Sequence, residues 1–133
     1  MSDCIFCKIA QHEINSYTLY EDDKCIAILD LSQATYGHTL VISKEHAKNI
    51  LEVSDETLMQ MSKVVKNLSL QIKEKLNAAG INVLTNANEA AGQTVMHFHI
   101  HIIPRYDEHD GFKPQLANNE GKYDLEKIKQ QIM

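Results

Sequence analysis

With 133 residues, 44% of them hydrophobic, the chain has the length and apolar content of one domain, 1–133, with its own core. The absence of an 18-residue apolar run and of a signal-peptide pattern argues against a membrane span or export, so the expected location is cytoplasmic. A formal net charge of −5 with scattered lysines excludes nucleic acid as a bulk partner but leaves small anionic ligands open, and three cysteines are an odd number for a disulfide framework.

The elements follow in chain order. "SYTLYEDD" and "KCIAILDL" are short strand-like runs joined by a polar turn at Asp22 and Asp23, which predicts an antiparallel hairpin. Cys25 inside the second run reads as a small buried apolar residue. "GHTLVISK" is a third strand. From Ser54 onward, Leu58, Met61, Val65, Leu68, Ile72 and Leu76 recur at three- and four-residue steps, the stripe of an amphipathic helix. Ser54 is its expected N-cap, Asp55 and Glu56 occupy the anion-favouring first turn, and Gly80 is the expected end. "INVLTNA" predicts a fourth strand, "MHFHIHIIPR" (96–105) a fifth, and "YDLEKIKQQIM" a short C-terminal helix. Strands joined by turns with one long inserted helix describe an α+β domain on a five-stranded antiparallel sheet. The helix should cover one face, meeting Phe98, Ile100 and Ile102.

The fifth strand then carries the chemistry. It places three of the seven histidines, His97, His99 and His101, at alternate positions on the face away from the helix. Same-face neighbours on a strand are about 6.5–7 Å apart, close enough to share a ligand but loose for three bonds to one metal ion. Two chemistries compete for such a row: a catalytic metal held by the imidazoles, or one imidazole as nucleophile with the others orienting it. The preceding loop favours the second, because Gly92, Gln93 and Thr94 supply amides, a carboxamide and a hydroxyl suited to phosphate oxygens. His12 and His109 are given no role.

These residues also carry a family likeness. "HFHIHII" resembles the histidine triad pattern, His-φ-His-φ-His-φ-φ with φ apolar, and "GQTVMH" resembles the lead-in of that nucleotide-binding family. "CIFCKIA", "YEDDKCIAILDLSQATYGHTLVISKEH" and "IPRYDEHDGF" look like its bacterial branch, so the likeness covers nearly the whole chain. It implies a HIT-like fold, a homodimer, and hydrolysis of purine nucleoside 5′-phosphoramidates or related nucleotides to AMP or GMP, without an organic cofactor. By the same resemblance His99 would attack the α-phosphorus to form a covalent nucleotidyl-histidine. Gln93, Thr94, His101 and Asn86 would supply donors to the phosphoryl oxygens, and His38 would support the triad from the neighbouring strand. Asp30 would bind the ribose hydroxyls, Phe6, Ile9, Ile28 and Leu31 would line the base pocket, and Gly92 would face the phosphate. Thr94 stands where many relatives have Ser, which keeps the hydroxyl but restricts its rotamers.

Cys4 and Cys7 have the spacing of half a zinc site. The other half comes from the resemblance: His46 and His97 match the partners used by zinc-containing members, giving a structural Cys₂His₂ Zn²⁺ set. Rival readings are a dinucleoside polyphosphate hydrolase, a nucleotide-binding adaptor with vestigial catalysis, and a zinc hydrolase using the triad itself.

Overall fold

The computed structural model describes residues 3–133. A five-stranded antiparallel sheet runs in the order β1 (Thr18–Glu21), β2 (Cys25–Leu29), β3 (Thr39–Ser43), β5 (His99–Arg105), β4 (Gly80–Leu84). Among the described residues three helices accompany it, α1 (Ile5–Ala10), α2 (Asp55–Lys75) and α3 (Leu125–Ile132), together with a 3₁₀ turn at Glu89–Ala91. The α+β architecture is the one the pattern predicts. No helix among the described residues is long and apolar enough to cross a membrane.

Each side of the sheet packs its own cluster. On one side Cys25, Ala27, Val41, Phe98, Ile100 and Ile102 meet Met61, Val64, Val65, Leu68 and Ile72 of α2. This is the helix stripe and the strand face anticipated from the period, with Met61 and Ile102 fully buried. On the other side Ile26, Ile28, Leu40 and Ile42 meet Phe6, Ile9 and Ala10 of α1. Helix α1 escapes the sequence reading because six residues are too few for a periodicity. Its stability comes from packing rather than propensity.

Local chemistry sets the ends. Ser54 caps α2 by accepting from the Thr57 amide at 3.2 Å. The expected stop at Gly80 is corrected: α2 ends five residues earlier, where Asn77 takes a left-handed φ of 56° and the Ala78 amide closes back on the Lys73 carbonyl at 3.0 Å. Gly80 instead opens β4. Asp22 ties the β1–β2 turn, accepting from the amides of Lys24 and Cys25 at 2.7 and 2.9 Å. Burial works against its charge, but these bonds and those from Gln60 and Tyr20 hold its carboxyl at about 2.

The histidine strand is shorter than expected. Regular structure begins at His99, and His97 lies in the bend before it. The Phe98 amide donates to the Ala47 carbonyl at 2.7 Å while its own carbonyl accepts from the Ser43 amide at 3.2 Å, which ties this bend both to the end of β3 and to the segment that carries His46.

Candidate active site and metal centre

Two sites share the histidine row, and hydrogen-bond partners separate them. His99 pairs with Ile42 across β3, and His101 pairs with Leu40. His38 lies two residues before Leu40, which puts it diagonally beside His101 on the same face. His97, beyond the ladder, turns towards the N-terminus instead.

At the first site the partners assign every imidazole tautomer. The Ala34 amide donates to His38 Nδ1 at 3.2 Å, so the neutral ring carries its proton on Nε2. That Nε2–H donates to His101 Nδ1 at 2.9 Å, which leaves the proton of His101 on Nε2. His99 Nδ1 lies 2.7 Å from the His97 carbonyl, an obligatory acceptor, so His99 is protonated on Nδ1 and keeps its lone pair on Nε2. The result is a row with one free base beside one free donor, their ring centroids 5.0 Å apart.

Burial keeps these rings neutral. It pushes His38, His99 and His101 below the ordinary histidine value, and with the charges of His99 and His38 added, His101 falls to about 4. Asp30 opposes the trend; its Oδ2 lies 3.7 Å from His38 Nε2, and its Oδ1 accepts from the Ser32 amide at 2.8 Å. Asp30, His38 and His101 lie close enough together to suggest a cation site. The Ala34 bond argues against one, since His38 could ligate through Nε2 only by carrying its proton on Nδ1, against the Ala34 N–H.

Of the four residues expected to line a base pocket, three share one apolar cluster. Phe6 sits edge-on to His99 at a centroid distance of 4.9 Å, and Ile9 and Ile28 belong to the same cluster. Leu31 is 86% exposed and stands apart from it. The loop before the triad is organised differently from the expectation. Gln93 is 4% exposed, and its carboxamide is spent internally: Nε2 donates to the carbonyls of Lys48 and Val95 at 2.6 and 3.0 Å, while Oε1 accepts from the Asn88 amide at 2.7 Å and from Asn49 Nδ2 at 3.2 Å. Its amide and that of Gly92 bond to Asn88 and Glu89. Gln93 is therefore a staple of the loop rather than a phosphate donor, because a fully committed buried carboxamide has no hydrogen left to offer. Gly92 serves the turn, at a φ of 94°. Asn86 Nδ2 reaches only the Gly92 carbonyl, at 3.5 Å, and Thr94 is exposed. Asn49, buried between Asn88 and Gln93, carries no signal in the sequence that sets it apart from any other loop asparagine.

At the second site Cys4, Cys7, His46 and His97 converge. His97 Nδ1 lies 3.2 Å from Cys4 Sγ, 3.5 Å from Cys7 Sγ and 3.2 Å from His46 Nδ1, and Cys7 Sγ lies 3.2 Å from His46 Nδ1. Zn–N of about 2.0–2.1 Å and Zn–S of about 2.3 Å in a tetrahedron put neighbouring ligand atoms roughly 3.3–3.8 Å apart, so the cluster is already near that spacing. The tautomer agrees: His97 Nε2 donates to the Ser43 carbonyl at 2.7 Å, turning the Nδ1 lone pair inward. Burial, then the hydrogen bond and charge of Cys4, push the Cys7 thiol up.

Comparison with known proteins follows this geometry. A family model described as HIT domain matches residues 11–108. The Protein hit of Bacillus subtilis is 43% identical over 133 positions, covering 98% of this chain and 92% of its own length. The adenylylsulfatase HINT3 of Arabidopsis thaliana is 40% identical over 104 positions, covering 78% of this chain and 53% of its own. A crystal structure of a HIT family protein from Bacillus anthracis superposes with a TM-score of 0.92 at 42% identity, covering 98% of this chain and 92% of that one. A zinc-bound histidine triad family protein from Mycobacterium smegmatis gives 0.79 at 33%, covering 90% and 86%.

Proposed function

The chain belongs to the histidine triad (HIT) family, and from that premise we propose that it is a nucleotide hydrolase cleaving purine nucleoside 5′-phosphoramidates, or related nucleotides, at the α-phosphorus. The observation that carries this reading is the tautomer pattern: a neutral His99 with its Nε2 lone pair free, next to a neutral His101 that presents an Nε2–H. The Arabidopsis relative named as an adenylylsulfatase supports hydrolysis of an adenylyl compound.

In the proposed reaction His99 Nε2 attacks phosphorus while the P–N bond to the amine breaks, and the amine leaves with a proton taken from water. The new imidazolium is stabilised by its Nδ1–H bond to the His97 carbonyl. Water then attacks phosphorus, the P–Nε2 bond breaks, and the nucleoside monophosphate departs as a proton is released. His101 Nε2–H serves a phosphoryl oxygen throughout, held in place by His38. Thr94 and Asn86 are the remaining polar side chains proposed near the phosphate, Asp30 the ribose contact, and Phe6, Ile9 and Ile28 the base wall.

Zinc is proposed as a structural ion on Cys4, Cys7, His46 and His97, a reading supported by the convergence of these four side chains and by the existence of a zinc-bound family member in Mycobacterium smegmatis. Four protein ligands leave no position for water, so the ion would supply a cross-link between α1 and the triad strand rather than catalysis. A homodimer is proposed through the β4 edge. Val83 and Leu70 are exposed there beside Ile81 and Val65, and the Ser69 hydroxyl in the same hollow is buried without a partner among the described residues.

The test is turnover of adenosine 5′-phosphoramidate by the wild type and by His99→Ala. Release of AMP by the wild type alone, with AMP still bound by the variant, supports the reading. Equal turnover by both overturns it. Preference for a diadenosine polyphosphate would replace the substrate and keep the nucleophile.

A further inference from the structure

The chain continues beyond Arg105 into a turn closed by Arg105 and Asp110. Arg105 Nε lies 2.9 Å from both carboxylate oxygens of Asp110, and Nη2 lies 2.7 Å from Oδ1. Asp110 also accepts from the Tyr106 amide at 3.0 Å. A two-pronged guanidinium–carboxylate pair of this kind is among the more geometrically demanding ion pairs, and here it shapes the turn. From that turn two contacts reach the segment before β3. The Tyr106 hydroxyl donates to the Tyr36 carbonyl, and Gly111 lies so close to Ala34 that a Cβ on it would fall 1.9 Å from the Ala34 carbonyl oxygen.

Ala34 is the residue whose amide sets the His38 tautomer. The segment around it is pinned from within by Gln33, whose Nε2 donates to the carbonyls of Asp30 and His38 at 2.6 and 2.7 Å and whose Oε1 accepts from the Gly37 amide at 2.7 Å. The turn after β5 closes it from without.

We propose that Tyr106 and the Arg105–Asp110 pair are positioning residues: they hold the Ala34 N–H against His38 Nδ1 and thereby fix the proton on Nε2 of both His38 and His101. The catalytic consequence rests on the hydrolase reading above; the tautomer consequence does not. A single neutral hydrogen bond is a small net contribution, so loosening the Ala34 contact is enough to populate the other tautomer of a neutral imidazole. His38 would then offer a lone pair at Nε2, His101 would turn its proton to Nδ1 to meet it, and the donor aimed at a phosphoryl oxygen would be lost. Binding contacts elsewhere would be unchanged, so kcat should fall while KM stays.

The experiment uses the full chain labelled with ¹⁵N-histidine, as wild type, Tyr106→Phe and Asp110→Asn, with two-bond ¹H–¹⁵N spectra to read each ring nitrogen. The wild type should show His38 and His101 protonated on Nε2 and His99 on Nδ1. Both variants should show mixed tautomers at His38 and His101 with His99 unchanged, and kcat on adenosine 5′-phosphoramidate about tenfold lower with KM within about twofold. Wild-type tautomers retained in both variants, or an equal disturbance of His99, would overturn the proposal. Should Asp110→Asn fail to fold, Tyr106→Phe, which removes one exposed hydroxyl, decides alone. If no substrate is turned over, the hydrolase reading fails while the spectra still judge this one.

Discussion

His97 and His99 stand two residues apart in one row, and their fates differ because of what each ring nitrogen meets. His97 gives its Nε2–H to Ser43 and turns Nδ1 into a cluster of two thiols and a second imidazole. His99 gives its Nδ1–H to a carbonyl and keeps Nε2 free on the other side. Both rings are held neutral by desolvation, His97 fully buried and His99 half-buried. What separates the proposed anchor from the proposed nucleophile is which nitrogen is left with a lone pair and what that lone pair faces.

The sharpest break of this comparison is to remove one histidine at a time. His99→Ala should lower turnover by about 10³-fold or more while the proposed zinc site still loads and the melting temperature is unchanged, checked by metal analysis and calorimetry. Cys7→Ser should do the reverse, with zinc lost and stability reduced by about 3–4 kcal/mol in denaturant titration. Turnover per folded molecule should stay within a few-fold. Equal loss of activity per folded molecule in the two variants would merge the two sites into one.

A pH series sharpens the same contrast from the catalytic side. Folded His101 titrates at about 4, against an ordinary 6.5, so between those values the unfolded chain binds more protons than the folded one. Stability should therefore be fully present above pH 6.5, decline as pH falls towards 4, and level off below. The contribution is on the order of 2–3 kcal/mol after allowance for the partly exposed ring. His101→Gln should flatten that part of the curve in urea unfolding at stepped pH.

Smaller effects mark the supports. Gln93→Leu should cost about 1–3 kcal/mol by leaving the partners of its carboxamide unpaired, and should lower activity through loop disorder rather than through a lost phosphate donor. A kcat loss with the loop intact by amide exchange would restore the donor role. Ser54→Ala should cost about 1 kcal/mol through the α2 cap, with zinc content and kcat unchanged, which makes it the control for stability alone.

Much of this molecule is legible along the chain. The period of two around His99 and the steps of three and four from Leu58 to Leu76 fix the types of the elements and the faces they bury, because side-chain direction follows from backbone geometry alone. The expected helix end was off because Asn77, which resembles any other polar residue in sequence, takes the left-handed conformation that stops α2. That the Gln93 carboxamide is committed within its loop is not legible in the sequence, because free and committed donors look alike until their partners are placed. The convergence of Cys4 and Cys7 with His46 and His97, across more than 90 positions, came to the sequence reading only through family likeness.

The sequence by itself determined the sheet, its covering helix and the row of three imidazoles on one side. Tertiary structure decided which nitrogen of each imidazole carries the proton, since a tautomer is set by a single acceptor or donor brought from elsewhere in the chain: Ser43 for His97, the His97 carbonyl for His99, and Ala34 by way of His38 for His101.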